Sequence, residues 1–122
     1  MNPTGEVISG VSIAADLDPT TARAMVAILT AKPGHADELR ELVTDLAGHV
    51  RGEPGCVAFI PYQTHDAPGR FYLYEIYRNL DAFRTHLHTD HVTRFVATTP
   101  GLCTDDPSHA LVQLDEIPVP EG

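Results

Sequence analysis

"RFYLYEIY", residues 70–77, is the stretch that decides how this chain folds. It is crowded with aromatic and branched side chains and follows the turn "DAPG" (66–69), so it reads as a β-strand. Successive side chains of a strand point to opposite faces. One face therefore carries Phe71, Leu73 and Tyr77, and the other Tyr72, Tyr74 and Ile76. Neither face is polar, so whatever sheet this strand joins must be covered on both sides.

Working outward, "CVAFIPYQTH" (56–65) is a second strand, paired with 70–77 as a hairpin across "DAPG". Pro61 inside it lacks an N–H for the ladder and predicts an edge strand or a bulge. "AMVAILTA" (24–31) is a short apolar run stopped by Lys32-Pro33-Gly34. It reads as a strand buried on both faces, with Ala27 and Leu29 on one and Val26 and Ile28 on the other. Between these strands, Leu39, Leu42, Val43, Leu46, Ala47 and Val50 recur with the period of one helix face. Asp37 and Glu38 suit the positive end of that helix, and Gly52 and Pro54 stop it. Beyond Tyr77, Asn79 is a natural N-cap for a helix with Leu80, Phe83 and Leu87 inward. Thr89 caps a second short helix with Val92, Phe95 and Val96 inward, ended by Pro100-Gly101. "HALVQLDEI" (109–117) is a last strand.

The order β-α-β-β-α-β predicts an α+β, ferredoxin-like domain over 24–118 with an antiparallel sheet. Residues 1–23 form a leader, too apolar for a disordered tail and too irregular for a clear strand, expected to pack on the domain or on a partner chain. Residues 119–122 are an extended tail. Both helices of such a domain lie on one face of the sheet, which leaves its second apolar face without cover. A second copy, sheet against sheet, is the simplest cover, and a C2 homodimer is expected.

Composition narrows the function. A formal charge of −9 disfavours phosphate backbones and anionic membranes, so neither nucleic acid nor a membrane is an expected partner. Cys56 and Cys103 are too few for a disulfide framework and read as reduced thiols. No signal-like start, membrane-length apolar run, P-loop or Gly-rich dinucleotide fingerprint occurs, and a cytoplasmic protein without a nucleotide or flavin cofactor follows.

"HLHTDHVTRF" (86–95) concentrates His86, His88 and His91. Residues two apart on a helix point about 200° apart, so His86 and His88 cannot share an ion on an unbroken helix, and His88 should face solvent. No carboxylate or cysteine stands at a familiar ligand spacing beside them, so no metal is expected. Imidazole is well suited to moving protons near neutral pH, and His86 and His91 are candidate bases at the mouth of a cleft. Their structural alternative is to hold the joint between the helices. His35, His49, His65 and His109 are expected on the surface. Glu75, in the middle of an apolar strand, must be paired or neutral. Arg78 and Arg84 are candidate partners, and its functional role would be to orient a histidine or a substrate hydroxyl. Phe59, Tyr77, Phe83 and Phe95 are candidate walls of a binding site, and Tyr62 and Tyr72 could stack on a flat ring.

"KPGHADELRELV", "EPGCVAF" and "RFYLYEIYRNLDAFRTHLHTDHVTRF" together resemble the antibiotic biosynthesis monooxygenase family over about residues 25–117. The run Glu53 to Cys56, the pair Tyr74-Glu75 and the His86/His91 spacing carry the likeness. The resemblance implies a dimeric α+β barrel. It also implies oxygen chemistry without flavin, haem or metal, in which dioxygen attacks a small aromatic substrate: a phenol, a quinol or an aromatic polyketide. The same family includes isomerase-like and haem-degrading members. Tyr77 stands where many members carry tryptophan; His88, the leader and the connection "TTPGLCTDDPS" also depart from the minimal pattern. Two other functions stay open: proton-transfer isomerisation of a small oxygenated metabolite, and binding of an aromatic metabolite without turnover.

Overall fold

The computed structural model describes residues 5–104 and 110–121. The strands are β1 (Glu6–Ile8), β2 (Val11–Ile13), β3 (Arg23–Thr30), β4 (Cys56–Gln63), β5 (Arg70–Tyr77) and β6 (Leu111–Leu114). The helices are α1 (Ala36–Arg51), α2 (Leu80–Leu87) and α3 (Asp90–Thr98). From β3 onward this is the ferredoxin-like order. Four strands form one antiparallel sheet in the order β4-β5-β3-β6. The expected surface position of His109, at the start of the predicted last strand, lies outside the described residues.

Pro61 sits where its missing N–H does least harm, on the edge strand β4, and the ladder shifts register between Cys56 and Ala58. The strands alternate cleanly. Met25, Ala27 and Leu29 of β3 and Phe71, Leu73, Glu75 and Tyr77 of β5 point inward and are buried. The buried stripe of α1 (Leu39, Val43, Leu46, Ala47, Val50) packs over them, as its periodicity predicts. Asn79 and Thr89 cap their helices by accepting from the N–H of Ala82 and Val92.

The leader is more ordered than its sequence pattern suggests. β1 and β2 form a hairpin whose two-residue turn places Ser9 and Gly10 in the left-handed region (φ 51° and 80°), as the twist of a tight hairpin requires. Only three residues per strand and one inward face explain why no clear periodicity marks it. The hairpin docks on the domain. Val11 and Ile13 are buried, Ser9 Oγ donates to the Leu87 carbonyl (2.6 Å), Gln113 donates to the Ser12 carbonyl (2.7 Å), and Arg84 pairs with Glu6.

The opposite face of the sheet is apolar and open. Tyr74 is 37% exposed, Val112 46% and Leu114 38%, and Val26, Ile28, Tyr72 and Ile76 are half-buried beside them. No helix of the described residues is long and apolar enough to cross a membrane.

Candidate active site

Between the sheet and the helices lies a cavity of about 60 Å³. Its walls are apolar: Leu29, Phe59, Leu73, Phe83, Phe95 and, from the hairpin, Val11 are among them. Its two polar groups are Glu75 and His86.

Three segments bring the polar groups together. β5 turns Glu75 and Tyr77 inward because they share the parity of Phe71 and Leu73. α2 turns His86 inward, three residues after Phe83. The turn after α1 supplies Glu53. It is held tightly against α2, since a Cβ on Gly55 would stand 2.4 Å from the Ala82 Cβ, which only glycine avoids. The Gly55 carbonyl also accepts from the Arg78 N–H (2.9 Å), tying this turn to the end of β5.

The result is a chain of hydrogen bonds. Tyr77 Oη donates to Glu75 Oε1 at 2.6 Å and lies 2.9 Å from His86 Nε2. His86 Nδ1 lies 2.9 Å from Glu53 Oε2, and His91 Nε2 is 2.6 Å from the same oxygen. The Tyr77 ring packs on both His86 and Phe83. Glu75 has lost its water. Burial is the main reason its carboxyl is pushed up to about 7; the Tyr77 hydrogen bond opposes this and the Glu53 charge adds to it. Burial also opposes ionisation of Glu53, but hydrogen bonds and charge from His86 and His91 outweigh it and hold that carboxyl below its ordinary value. Burial, then Glu75, raise the Tyr77 hydroxyl, so it acts as a hydrogen-bonding bridge and never as a phenolate near neutral pH. Cys56 is shifted upward by burial and by the Glu53 and Glu75 carboxylates, which leaves no thiolate for nucleophilic work.

Several sequence expectations change. Glu75 is not paired with arginine: Arg78 is exposed, and Arg84 pairs with Glu6 and Asp81. Phe59, Phe83 and Phe95 line the cavity, whereas Tyr77 sits behind it as the link between Glu75 and His86. Tyr62 and Tyr72 face each other across β4 and β5 on the opposite side of the sheet, away from the cavity. His86 reaches the cavity, but both of its ring nitrogens are engaged by protein groups. His91 lies outside, in a groove with Leu42, Asp45 and Arg94. His88 is exposed, as its angular position demands. His49 and His65 are exposed and His35 half-buried.

A carboxylate does stand beside the histidines, contrary to the spacing argument, because Glu53 arrives from a distant turn. Glu53, His86 and His91 each bring one donor atom within 4.8 Å of the others, the donor set of a two-histidine, one-carboxylate centre. Two donors on one tetrahedral ion at about 2.0–2.1 Å would stand roughly 3.3 Å apart. The separations of 2.6 and 2.9 Å are those of N–H···O hydrogen bonds. The cluster is satisfied as a hydrogen-bonded network.

Comparison with known proteins places the chain. Residues 23–98 match the family model described as antibiotic biosynthesis monooxygenase. An uncharacterized protein of Synechocystis sp. is 30% identical over 71 residues, 58% of this chain; the match covers only 48% of that relative, about half its length. Among solved structures, PA3566 of Pseudomonas aeruginosa is 27% identical with a TM-score of 0.74, covering 84% of this chain and all of that one. Rv0793 of Mycobacterium tuberculosis is 25% identical with a TM-score of 0.75, covering 83% and 100%. A structure named antibiotic biosynthesis monooxygenase is 26% identical with a TM-score of 0.71, covering 80% and 100%. The matched segment contains Glu53, Glu75, Tyr77, His86 and His91, and this chain belongs to the antibiotic biosynthesis monooxygenase family.

Proposed function

We propose that this protein oxidises a small phenol or quinol with dioxygen, with Glu75 as the base. The observation that carries this reading is a carboxylate at the wall of an apolar cavity, poised near neutrality, with Oε1 held by Tyr77. Among the described residues no hydrogen bond takes its Oε2, which is therefore free for a guest.

The chemistry follows from the substrate. Glu75 accepts the phenolic proton, and the phenolate passes one electron to dioxygen. The two radicals combine into a peroxide anion, which takes a proton and loses water. One oxygen atom stays on the ring as a new carbonyl, and the other leaves as water with the ring hydrogen. The dry walls favour electron release by leaving the phenolate poorly solvated. The protein adds orientation and a base, and the substrate performs the redox step. His86 stands behind Tyr77 and does not take the proton from the substrate directly.

The cavity is smaller than the roughly 150 Å³ space that admits benzene in an engineered core. A space of this size favours a single ring over a polycyclic one. Oxygen uptake on a panel of monocyclic phenols and hydroquinones tests the reading. Uptake should survive exhaustive chelation if the Glu53 cluster serves as a hydrogen-bonded network, and no uptake on any member would count against the reading. Turnover of an oxygenated metabolite without oxygen consumption would favour the isomerase reading, and saturable binding of these rings without turnover the binder.

The second copy belongs to this proposal. The open face of the sheet carries Tyr74, Val26 and Ile28, only partly covered among the described residues, and sheet-to-sheet association of two copies would cover it. Sedimentation at micromolar concentration should give a dimer, and Tyr74→Glu, which buries a charge at the centre of that face, should give a monomer.

A further inference from the structure

The hydrogen-bond chain runs from the cavity to the neighbouring groove at His91, across Leu46 and Phe95, which line both. We propose that Glu75, Tyr77, His86, Glu53 and His91 form a proton relay that connects the apolar cavity to solvent through the groove at His91. The inference rests on Glu75 being the base assigned above, but its test does not depend on turnover.

The bonds let the proton move along the chain once the Glu75 carboxyl turns and presents to Tyr77 the oxygen that took it. In one arrangement Glu75 is protonated and donates to Tyr77 Oη, Tyr77 donates to His86 Nε2, and His86 Nδ1–H donates to Glu53. In the other, Tyr77 donates to the Glu75 carboxylate, and His86 carries protons on both nitrogens, donating to Tyr77 and Glu53. The two differ by one proton, passed from Glu75 to Tyr77 while Tyr77 passes its own to His86. The separations of 2.6, 2.9, 2.9 and 2.6 Å along the chain are all hydrogen-bond contacts.

The outer half completes the path. His86 gives its Nδ1 proton to Glu53, Glu53 gives one to Nε2 of His91 in its Nδ1–H form, and the His91 imidazolium releases the proton on Nδ1. His91 then holds its proton on Nε2, donating to Glu53. It returns to the Nδ1–H form by taking a proton from solvent at Nδ1 and yielding the Nε2 proton to Glu53 on the inward pass. No described protein group bonds that Nδ1. His91 borders an open groove with Asp45, Arg94 and Thr98 and stacks on the exposed His49, 5.4 Å between ring centroids. The His91 side chain is 17% exposed, against 6% for His86 and for Glu75. Exposure thus rises toward one end only.

The cavity chemistry has use for such a path. Once a ring fills the apolar cavity, the proton that Glu75 takes has no water to receive it there, and it would return to the phenolate. Moving it to the Glu53 side keeps the ring anionic while dioxygen reacts. The same proton, or one from solvent, comes back along the chain to the peroxide, so protons balance over the cycle.

The test reads exchange of the buried His86 ring N–H protons with water, by nitrogen-edited NMR on the resting protein. In the wild type this exchange should be fast and should accelerate with added imidazole buffer. His91→Gln still donates an N–H to Glu53 but cannot pass a proton, so it should slow the exchange at least tenfold. Tyr77→Phe cuts the cavity arm only and should leave the exchange within about twofold. Where His91→Gln does not fold, Glu53→Gln interrupts the same arm. Backbone amide exchange at Phe83 and Leu87 reports local opening. Equal or faster ring exchange in His91→Gln overturns the relay, as does slowing by Tyr77→Phe alone. If phenols are oxidised, His91→Gln should also lower kcat about tenfold in dilute buffer, leave KM unchanged, and recover with imidazole. Oxygen uptake with unaltered ring exchange would leave the oxygenase reading standing and remove the relay. Exchange that depends on His91, without oxygen uptake, would do the reverse.

Discussion

Glu75→Gln is expected to lower kcat/KM for oxidation of a monocyclic phenol by about 10²–10⁴-fold, the usual contribution of a positioned base. Glutamine keeps the volume and can still bond Tyr77, so packing around Tyr77, Phe83 and His86 is preserved while the proton acceptor disappears. The wild type should also show kcat/KM rising with pH through about 7, because burial pushes the Glu75 carboxyl up to that value and only its ionised form accepts a proton. The variant should lose this rise along with the rate. Initial rates from an oxygen electrode between pH 5.5 and 9 give both readouts. A variant that keeps the wild-type rate and profile would show that the base lies elsewhere.

The same carboxyl should govern stability as strongly as rate. Its value is about 7 in the folded protein against 4.5 for the free group, with burial as the first cause. A raised value means that the unfolded chain releases this proton first. The contribution of Glu75 is therefore fully present below about pH 4.5 and is lost as pH rises through about 7. At about 1.4 kcal/mol per pH unit, the interval amounts to about 3 kcal/mol. Glu75→Gln has no such group, so its stability relative to the wild type should improve by about that amount between pH 4.5 and 8.5. Urea unfolding of both proteins across this range measures the difference directly. A constant difference would mean that Glu75 ionises in the fold as easily as in the open chain.

The fold was legible wherever pattern and punctuation agreed. The α1 stripe, the Asn79 and Thr89 caps and the edge position signalled by Pro61 all follow from local physics, and each stands where it was expected. The β1–β2 hairpin was not legible, because strands of three residues carry no period and their burial is decided by α2 and β6. At the site, Glu75 announced itself as a charge in an apolar strand, and His86 as a histidine beside a helical stripe. Glu53 stayed hidden. It lies 33 residues from His86 along the chain, in a turn whose glycine and proline explain it fully without any chemistry. Parity identifies which residues share a strand face, but not which face meets the helices. Only the register separates Tyr62 and Tyr72 from Phe59, by placing them on the other side of the sheet.

The hairpin has a further consequence. The hydrogen-bonded groups of the candidate site all lie within residues 23–98, the part held in common with the family, whereas Val11 and Leu111, which also line the cavity, lie outside it. Part of the lining and the hydrogen-bonded network are thus separable. Changes in a short N-terminal ribbon and a four-residue edge strand can reshape the cavity wall, and the network of Glu75, Tyr77, His86 and Glu53 need not change at all.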